Sequence, residues 1–205
     1  EVPISLNHVL RGDAEIQEAV YEHSSGIKVV PSSLSVKELE KINLKDFEKY
    51  KQEFSKLADY VIIDSSAGLG EETLSTIKIA DELIIVTNPE MAAITDALKA
   101  LKLSEQNKKK ISGIIVTRVK RNKIEMAPDE VKGMLESEIL GCIPEDECIP
   151  ISWNLRDAVV HTHPKSKPAR AYKEIVSELI DAEYDSDKDK EKILERILKR
   201  LNLKK

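Results

Sequence analysis

Short apolar runs recur along this chain, and segments with helical spacing lie between them. The runs occupy residues 27–30, 60–64, 83–87, 113–117 and 139–142. Several of them are apolar throughout rather than alternating, which is typical of parallel strands covered on both faces. Strands that alternate with helices predict βαβ units. We therefore expect an α/β fold, doubly wound, with a mainly parallel sheet and helices on both faces.

Helices are predicted where apolar residues recur three or four positions apart. The first is marked by Leu44, Phe47, Tyr50, Phe54 and Leu57, and the second by Met91, Ile94, Leu98 and Leu101. After the run at 139–142, two prolines predict a loop, Pro144 and Pro150. A helix around 153–160, in which Trp153 packs, and another from 169 to about 182 are expected to follow.

Composition narrows the class of protein. The chain has 205 residues, of which 41% are hydrophobic and 34% are charged, so a substantial core is expected. No apolar run reaches the roughly 18 residues that a membrane-spanning helix needs. The first ten residues lack the pattern of a signal peptide, and two cysteines do not form a disulfide framework. We therefore expect a cytoplasmic protein.

Charge is distributed unevenly. The net charge is −5, yet residues 188–205 carry eight basic and three acidic side chains, a local +5. The remaining body is therefore acidic, at −10, which argues against nucleic acid as a partner. A charged stretch with few apolar residues, 183–189, predicts a flexible linker between a domain at 1–182 and a last helix at 190–205.

That last helix is predicted to be amphipathic. Its apolar residues fall on one side of a helical wheel, with basic residues on the other side or at the border: Ile193, Leu194, Ile197, Leu198 and Leu201 against Lys192, Arg196, Lys199 and Arg200. This pattern suits an interfacial helix that binds an anionic membrane. An ordinary helix packed on the domain, or a short coiled coil, would show the same pattern.

The sharpest local motif is the apolar run that ends at Asp64 and is followed four residues later by Gly68. A carboxylate at the carboxyl end of a strand can hold magnesium, usually through water. A glycine in the next loop lets a main-chain N–H approach a phosphate. An Asp that only caps a turn or a helix would give the same sequence.

Longer segments resemble a known family. VIIDSSAGLGEET, ADELIIVTNPEMAAITDALKA, GIIVTRV, GCIPED and PKSKPARAYKEI resemble, in order and spacing, blocks of the MinD/ParA family of deviant-Walker P-loop ATPases, most closely its MinD branch. The resemblance implies ATP and magnesium as ligands. It gives Asp64 a place in the magnesium shell and makes Gly68 a sensor of the γ-phosphate.

The resemblance also implies a pocket for the nucleotide base. One side is Thr117 with Arg118, and the second wall is the loop of Pro144, Glu145 and Asp146. A hydroxyl, as on Thr117, offers a base fewer geometrically fixed contacts than an amide would.

One element of the family is not found in these 205 residues. A Walker A loop needs glycines whose N–H groups cradle phosphates and a lysine that neutralises them. The glycine-containing candidates here, GLGEET and RGDAE, are acidic instead. We expect the P-loop and the first strand to precede residue 1 in a longer protein. ATP hydrolysis is not expected from these residues alone.

The resemblance therefore implies a MinD-like ATPase that forms a homodimer with ATP, binds the inner face of the cell membrane reversibly and positions the division site. A regulator of MinC or MinE type is an expected partner. A ParA-type partition ATPase that binds DNA, an iron–sulfur carrier, which would need a CxxC motif, and a non-hydrolysing module remain as alternatives. Magnesium-dependent ATP binding would separate the last alternative from the others.

Overall fold

A computed structural model describes residues 2–32, 44–65, 68, 70–120, 122, 124–182 and 184, without the side chains of 44–46. The chain divides into two compact units. The first comprises Glu1–Leu83 and Lys102–Lys110, and the second comprises Ile84–Leu101 and Ile111–Lys205. The predicted linker and last helix lie almost entirely outside the described residues, and so do all nine membrane-facing residues named above.

The first unit begins with short elements. In chain order they are helix α1 (Leu6–Arg11), a 3-10 helix (Ile16–Ala19), strands β1 (Tyr21–Glu22) and β2 (Lys28–Val29), a second 3-10 helix (Leu44–Tyr50), α2 (Lys51–Phe54) and α3 (Glu71–Ile79). The two strands form an antiparallel hairpin in which Tyr21 pairs with Val29. The predicted run 27–30 is therefore a two-residue strand rather than part of the parallel sheet.

The core of this unit is formed by residues of α1, the two 3-10 helices, α2 and α3. The buried residues are Val9, Leu10, Ile16, Ala19, Phe47, Phe54 and Ile79. Phe47 and Phe54 meet edge to face with their ring centroids 5.6 Å apart, a favoured aromatic geometry. The Tyr50 hydroxyl donates to the Val9 carbonyl at 2.7 Å. The apolar spacing from Phe47 to Phe54 thus correctly predicts a helical, core-facing segment.

The remaining elements alternate strand and helix. They are β3 (Glu82–Thr87), α4 (Met91–Gln106), β4 (Lys110–Val119), α5 (Pro128–Leu135), β5 (Ile139–Pro144), α6 (Cys148–Asn154), α7 (Val159–Thr162) and α8 (Lys167–Leu179). The three strands form one parallel sheet in the order β3-β4-β5. This confirms the predicted α/β class and three of the predicted strands.

The pairing of β4 with β5 is interrupted near its carboxyl end. Val116 pairs with Cys142 and Val119 with Pro144, so two residues of β4 stand opposite one residue of β5. Such a bulge bends a strand and turns a side chain in a new direction, and bulges are common beside functional sites. The bulged residues are Thr117 and Arg118.

The second unit has its own core between the sheet and its helices. It is built from Ile94, Ala97, Leu101, Ile114, Val116, Val119, Val131 and Leu135. On β5, a Cβ at Gly141 would lie 2.5 Å from Ile175 Cγ1 of α8. The absence of a side chain at this position allows α8 to pack directly on the sheet.

The prediction of a buried strand at 60–64 is wrong for the described structure. No regular strand forms there, and Ile62 is 92% exposed. An apolar run becomes a strand only when a neighbouring strand accepts its N–H groups and donates to its carbonyls. Within the described residues, no strand pairs with this segment.

Two predictions for the segment after β5 are also wrong. Residues 148–152, expected in a loop, belong to α6, and Trp153, expected to pack within a helix at 153–160, is 73% exposed. Pro150 is the third residue of α6. The N–H that proline lacks has no acceptor within the helix at that position, so the first turn tolerates it. The predicted helix from 169 is confirmed as Lys167–Leu179.

Candidate functional site

Asp64 lies near the end of the irregular segment 61–65 in the first unit, and its side chain is exposed. An exposed carboxylate in this position can accept a hydrogen bond from metal-bound water. Magnesium in proteins is commonly held by one or two carboxylates together with phosphate and water. Asp64 fits one such ligand position.

Gly68 adopts a backbone conformation that favours glycine. Its φ is +103°, and an added Cβ would meet no atom within 4 Å. Glycine is therefore favoured at this position by the backbone angle and not by a lack of space for a side chain. Helix α3 begins three residues later at Glu71 and carries Glu72 in the same first turn, so its N-terminus already has two carboxylates beside it.

Thr117 and Arg118 occupy the bulge at the carboxyl end of β4. The Thr117 hydroxyl donates to the Thr87 carbonyl at the end of β3, at 3.1 Å. Arg118 has φ +58°, which is uncommon for a residue with a side chain. Its side chain is 64% exposed, and Nε lies 3.4 Å from Glu145 Oε2. The bulge thus fixes the hydroxyl and leaves most of the arginine side chain open to solvent.

The loop after β5 lies against this bulge. The Glu145 N–H donates to the Val119 carbonyl at 3.0 Å, which extends the strand pairing by one residue beyond Pro144. The Glu145 carboxylate reaches back to Arg118. The five residues predicted for the base pocket are therefore neighbours at the carboxyl end of the sheet, where ligands bind in open parallel sheets.

Asp146 organises the start of α6. Its Oδ1 accepts the N–H of Cys148 at 2.9 Å. That hydrogen bond lowers the pKa of Asp146 below its ordinary value of 3.8, because it stabilises the charged form. The same carboxylate raises the pKa of the Cys148 thiol above 9.0. The Asp146 side chain therefore holds the backbone at the start of α6 through this hydrogen bond.

A buried polar cluster behind this loop was not predicted. Ser152 of α6 is buried, and its hydroxyl donates to the Cys148 carbonyl at 2.6 Å. The same oxygen lies 2.6 Å from Thr162 Oγ1 and 3.4 Å from His163 Nδ1. These contacts join α6 to α7 and the turn after it. No sequence signal marks Ser152, because an isolated serine is also common on exposed helix faces.

The described residues contain no group of three or more His, Cys, Asp or Glu side chains that could hold a metal ion. His161 Nδ1 lies 2.9 Å from Asp157 Oδ1, and His163 belongs to the polar cluster. Cys142 and Cys148 are free thiols. No helix among the described residues has the length and apolar content to cross a membrane.

The seven residues predicted from sequence fall into two groups, and each group is described within its own unit. Asp64 and Gly68 belong to the first unit, while Thr117, Arg118, Pro144, Glu145 and Asp146 lie together in the second. The side chains of the second group suit a nucleotide base, because a base can pack against a planar guanidinium and a proline ring. The catalytic and ligand-binding roles of these seven residues remain predictions.

Comparison with known proteins places the chain in a family. The family model ParA, whose description is NUBPL iron-transfer P-loop NTPase, matches residues 41–180. An uncharacterized ATP-binding protein of Methanocaldococcus jannaschii is 35% identical over 88% of this chain and 69% of its own length. The septum site-determining protein MinD of Neisseria meningitidis is 25% identical over 87% of this chain and 71% of its own length.

Solved structures agree with the sequence comparisons. MinD of Pyrococcus horikoshii, complexed with Mg-ADP, matches with a TM-score of 0.82 at 27% identity, over 87% of this chain and 74% of that one. The cell division ATPase MinD of Pyrococcus furiosus matches with a TM-score of 0.83 at 25% identity, over 88% of this chain and 77% of that one. The chain belongs to the MinD/ParA family of deviant-Walker P-loop ATPases and has the MinD-like fold.

Proposed function

We propose that this chain is the greater part of a MinD-like ATPase that dimerises with ATP, binds the membrane reversibly and positions the division site. One observation carries the nucleotide part of the proposal. The bulged end of β4 and the loop after β5 bring all five predicted base-pocket residues together, at the edge of the sheet where such folds bind ligands. The similarity to a MinD complexed with Mg-ADP supports nucleotide and magnesium as the ligands.

In this proposal each group has one task. Arg118 and the loop from Pro144 to Asp146 would hold the base, and Asp64 would hold magnesium through a water molecule. Gly68 offers its main-chain N–H to the γ-phosphate, which its unusual φ permits. The bound nucleotide with magnesium supplies the phosphoryl group for hydrolysis. A Walker A loop that precedes residue 1 would hold the other phosphates.

Membrane attachment and partners complete the proposal. ATP-bound protein forms a homodimer that presents two copies of the amphipathic segment 190–205 to the anionic inner face of the cell membrane. Hydrolysis, stimulated by a regulator of MinC or MinE type, releases the dimer. The apolar face of segment 190–205, together with the acidic body at −10 over residues 1–187, supports a membrane rather than DNA as the surface that is bound.

The proposal is tested by removing one carboxylate at Asp64. In protein purified from its own cells, we expect Asp64→Ala to reduce ATP turnover by at least about 100-fold, because the carboxylate that would hold magnesium through water is lost. Asp59→Ala removes another exposed carboxylate five residues earlier and serves as the control. Unchanged turnover in Asp64→Ala would place Asp64 outside the site.

A second measurement separates the alternatives. Binding to DNA is measured at low and at high salt, because non-specific DNA binding weakens steeply as salt rises. Strong, salt-sensitive DNA binding would favour a partition ATPase. ATP binding that depends on magnesium, without turnover, would favour a non-hydrolysing module.

A further inference from the structure

The carboxyl end of α8 has apolar side chains that the described part of the chain leaves exposed. Ile175 is buried against the sheet, whereas Val176, Leu179 and Ile180 are between 36% and 49% exposed. The Ile180 N–H still donates to the Val176 carbonyl, at 3.1 Å, so helical spacing continues to Ile180. Spacings of three and four residues place these three side chains on one face, here called the α8 stripe. A single exposed apolar residue is ordinary, but a stripe is a surface that another helix can cover.

The chain around this stripe is strongly acidic. Residues 174–187 carry six acidic side chains and no basic one: Glu174, Glu178, Asp181, Glu183, Asp185 and Asp187. The first three of these side chains are exposed. Residues 188–205, which follow directly, carry a net +5. An apolar stripe with acidic neighbours is thus followed in the chain by a predicted apolar face with basic neighbours, and paired helices use this complementarity of charge beside an apolar seam.

The connection between the two segments is long enough for them to lie side by side. Helix α8 ends at Leu179, and the predicted amphipathic segment, which lies outside the described residues, begins at residue 190. Residues 183–189 alone can span up to about 24 Å when extended, whereas two packed helices lie only about 8–10 Å apart. In an antiparallel pair the first turns of segment 190–205 meet the last turns of α8, where the stripe lies.

Segment 190–205 needs a surface in order to be stably helical. Isolated helices shorter than about 12–15 residues are marginal in water, and this segment is barely longer. Most helical stability in proteins comes from packing of an amphipathic face. The α8 stripe offers such a surface within the same chain, at a high effective concentration that a second copy of the protein does not have.

We propose that the α8 stripe binds the chain's own segment 190–205, as an antiparallel helical pair, when the protein is not on a membrane. The apolar side chains of Ile193, Leu194 and Ile197 cover the stripe, and the basic residues of the segment lie opposite the acidic residues of 174–187. The docked segment is withheld from lipid. This last consequence rests on the proposed membrane function, whereas docking itself does not.

Amide hydrogen exchange of the full chain, without nucleotide or vesicles, tests docking. We expect the amides of residues 190–203 to exchange at least about tenfold more slowly than those of an unstructured peptide. Val176→Asp places a charge in the stripe and should abolish most of this protection. Ser177→Asp is the control, because it adds the same charge one residue further on, about 100° away around the helix, and should keep the protection.

Three results would overturn docking. They are rapid exchange of residues 190–203 in the wild type, protection that survives Val176→Asp, and protection that grows with protein concentration, which would assign the stripe to a second copy. If Val176→Asp also speeds exchange within α8 itself, Leu194→Asp tests the contact from the other side, because it changes only the segment. Equal protection in Leu194→Asp and in Asn202→Asp would then contradict docking.

Vesicle sedimentation tests the consequence for the membrane. Without ATP, we expect Val176→Asp to bind vesicles rich in phosphatidylglycerol at least about threefold better than Ser177→Asp, because α8 no longer competes for the segment. Equal sedimentation of the two variants, when Val176→Asp has lost its protection, would mean that docking does not withhold the segment from lipid. If neither variant nor the wild type binds vesicles while residues 190–203 are protected, the membrane function is contradicted and docking stands.

Discussion

At the residue scale, Gly141 decides how closely the last described helix approaches the sheet. A Cβ there would lie 2.5 Å from Ile175 Cγ1 and 2.7 Å from Ile175 Cδ1. Because Ile175 is itself buried, it has little room to move. We expect Gly141→Ala to lower the free energy of unfolding by about 1–3 kcal/mol, the usual cost of overpacking, as measured by urea denaturation.

The control for this prediction is Gly133→Ala. Gly133 lies inside α5, and a Cβ there would meet no atom within 4 Å. Replacing a helical glycine by alanine should stabilise the protein, by about 0.5–1 kcal/mol. Opposite signs for the two variants would confirm that contact with Ile175 is the cause. Destabilisation by both would contradict it.

The proximity of Thr117 and Arg118 to the loop after β5 could be predicted from sequence, but their bonding partners could not. Thr117 and Arg118 were identified by the resemblance to a family, and they do lie beside the loop Pro144–Asp146. The bulge that directs them was not predictable, because it depends on the register of β4 against β5. Likewise the acceptor for the Thr117 hydroxyl is a carbonyl 30 residues earlier in the chain, on another strand.

At the scale of elements, the bond between Asp146 and the first turn of α6 gives a pH-dependent stability. The Cys148 N–H lowers the pKa of Asp146 below its ordinary 3.8. The stabilisation is therefore fully present above pH 3.8 and is lost as the pH falls through the lowered pKa. We expect wild type to be more stable than Asp146→Asn at neutral pH, and the difference to disappear towards about pH 2, in thermal denaturation at a series of pH values.

Glu147→Gln is the matched control for this experiment. It neutralises the next carboxylate along the chain and leaves the bond from Cys148 to Asp146 intact. A difference between wild type and Asp146→Asn that stays constant from neutral to acidic pH would show that the charge of Asp146 does not stabilise α6.

Whole elements were predictable where their stabilising partners lie within the described chain. β3, β4 and β5 pair with one another, and the apolar runs that predicted them are confirmed. Residues 60–64 have an equally apolar run, yet Ile62 is 92% exposed. Hydrophobicity marks a segment that would be buried in a sheet, but the hydrogen bonds of a strand must come from a neighbour. Composition alone cannot report whether that neighbour is present.

At the scale of the whole molecule, the chain combines an acidic body with a basic end. Residues 1–187 carry −10 and residues 188–205 carry +5. An anionic membrane repels the body and attracts the end, so charge favours contact through the tail. This orientation is a consequence of the sequence and does not depend on how the two compact units are arranged.

The proposal predicts that residues 190–205 are required for membrane binding. In the presence of ATP and magnesium, we expect deletion of these residues to abolish sedimentation with vesicles rich in phosphatidylglycerol. Each basic residue near the surface contributes about 1 kcal/mol of attraction, and burial of the apolar side chains supplies the rest. Retained binding by the truncated protein would contradict the role of the tail.

A pair of substitutions separates apolar burial from simple charge attraction in the same assay. Ile197→Asp and Asn202→Asp change the net charge equally, but only Ile197 belongs to the predicted apolar face. A charged side chain on that face must be removed from water or must pull the helix out of the interface, so we expect Ile197→Asp to lose most of the binding. Asn202→Asp should lose only the contribution of one charge. Equal losses would mean that the tail acts as a basic segment and not as an amphipathic helix.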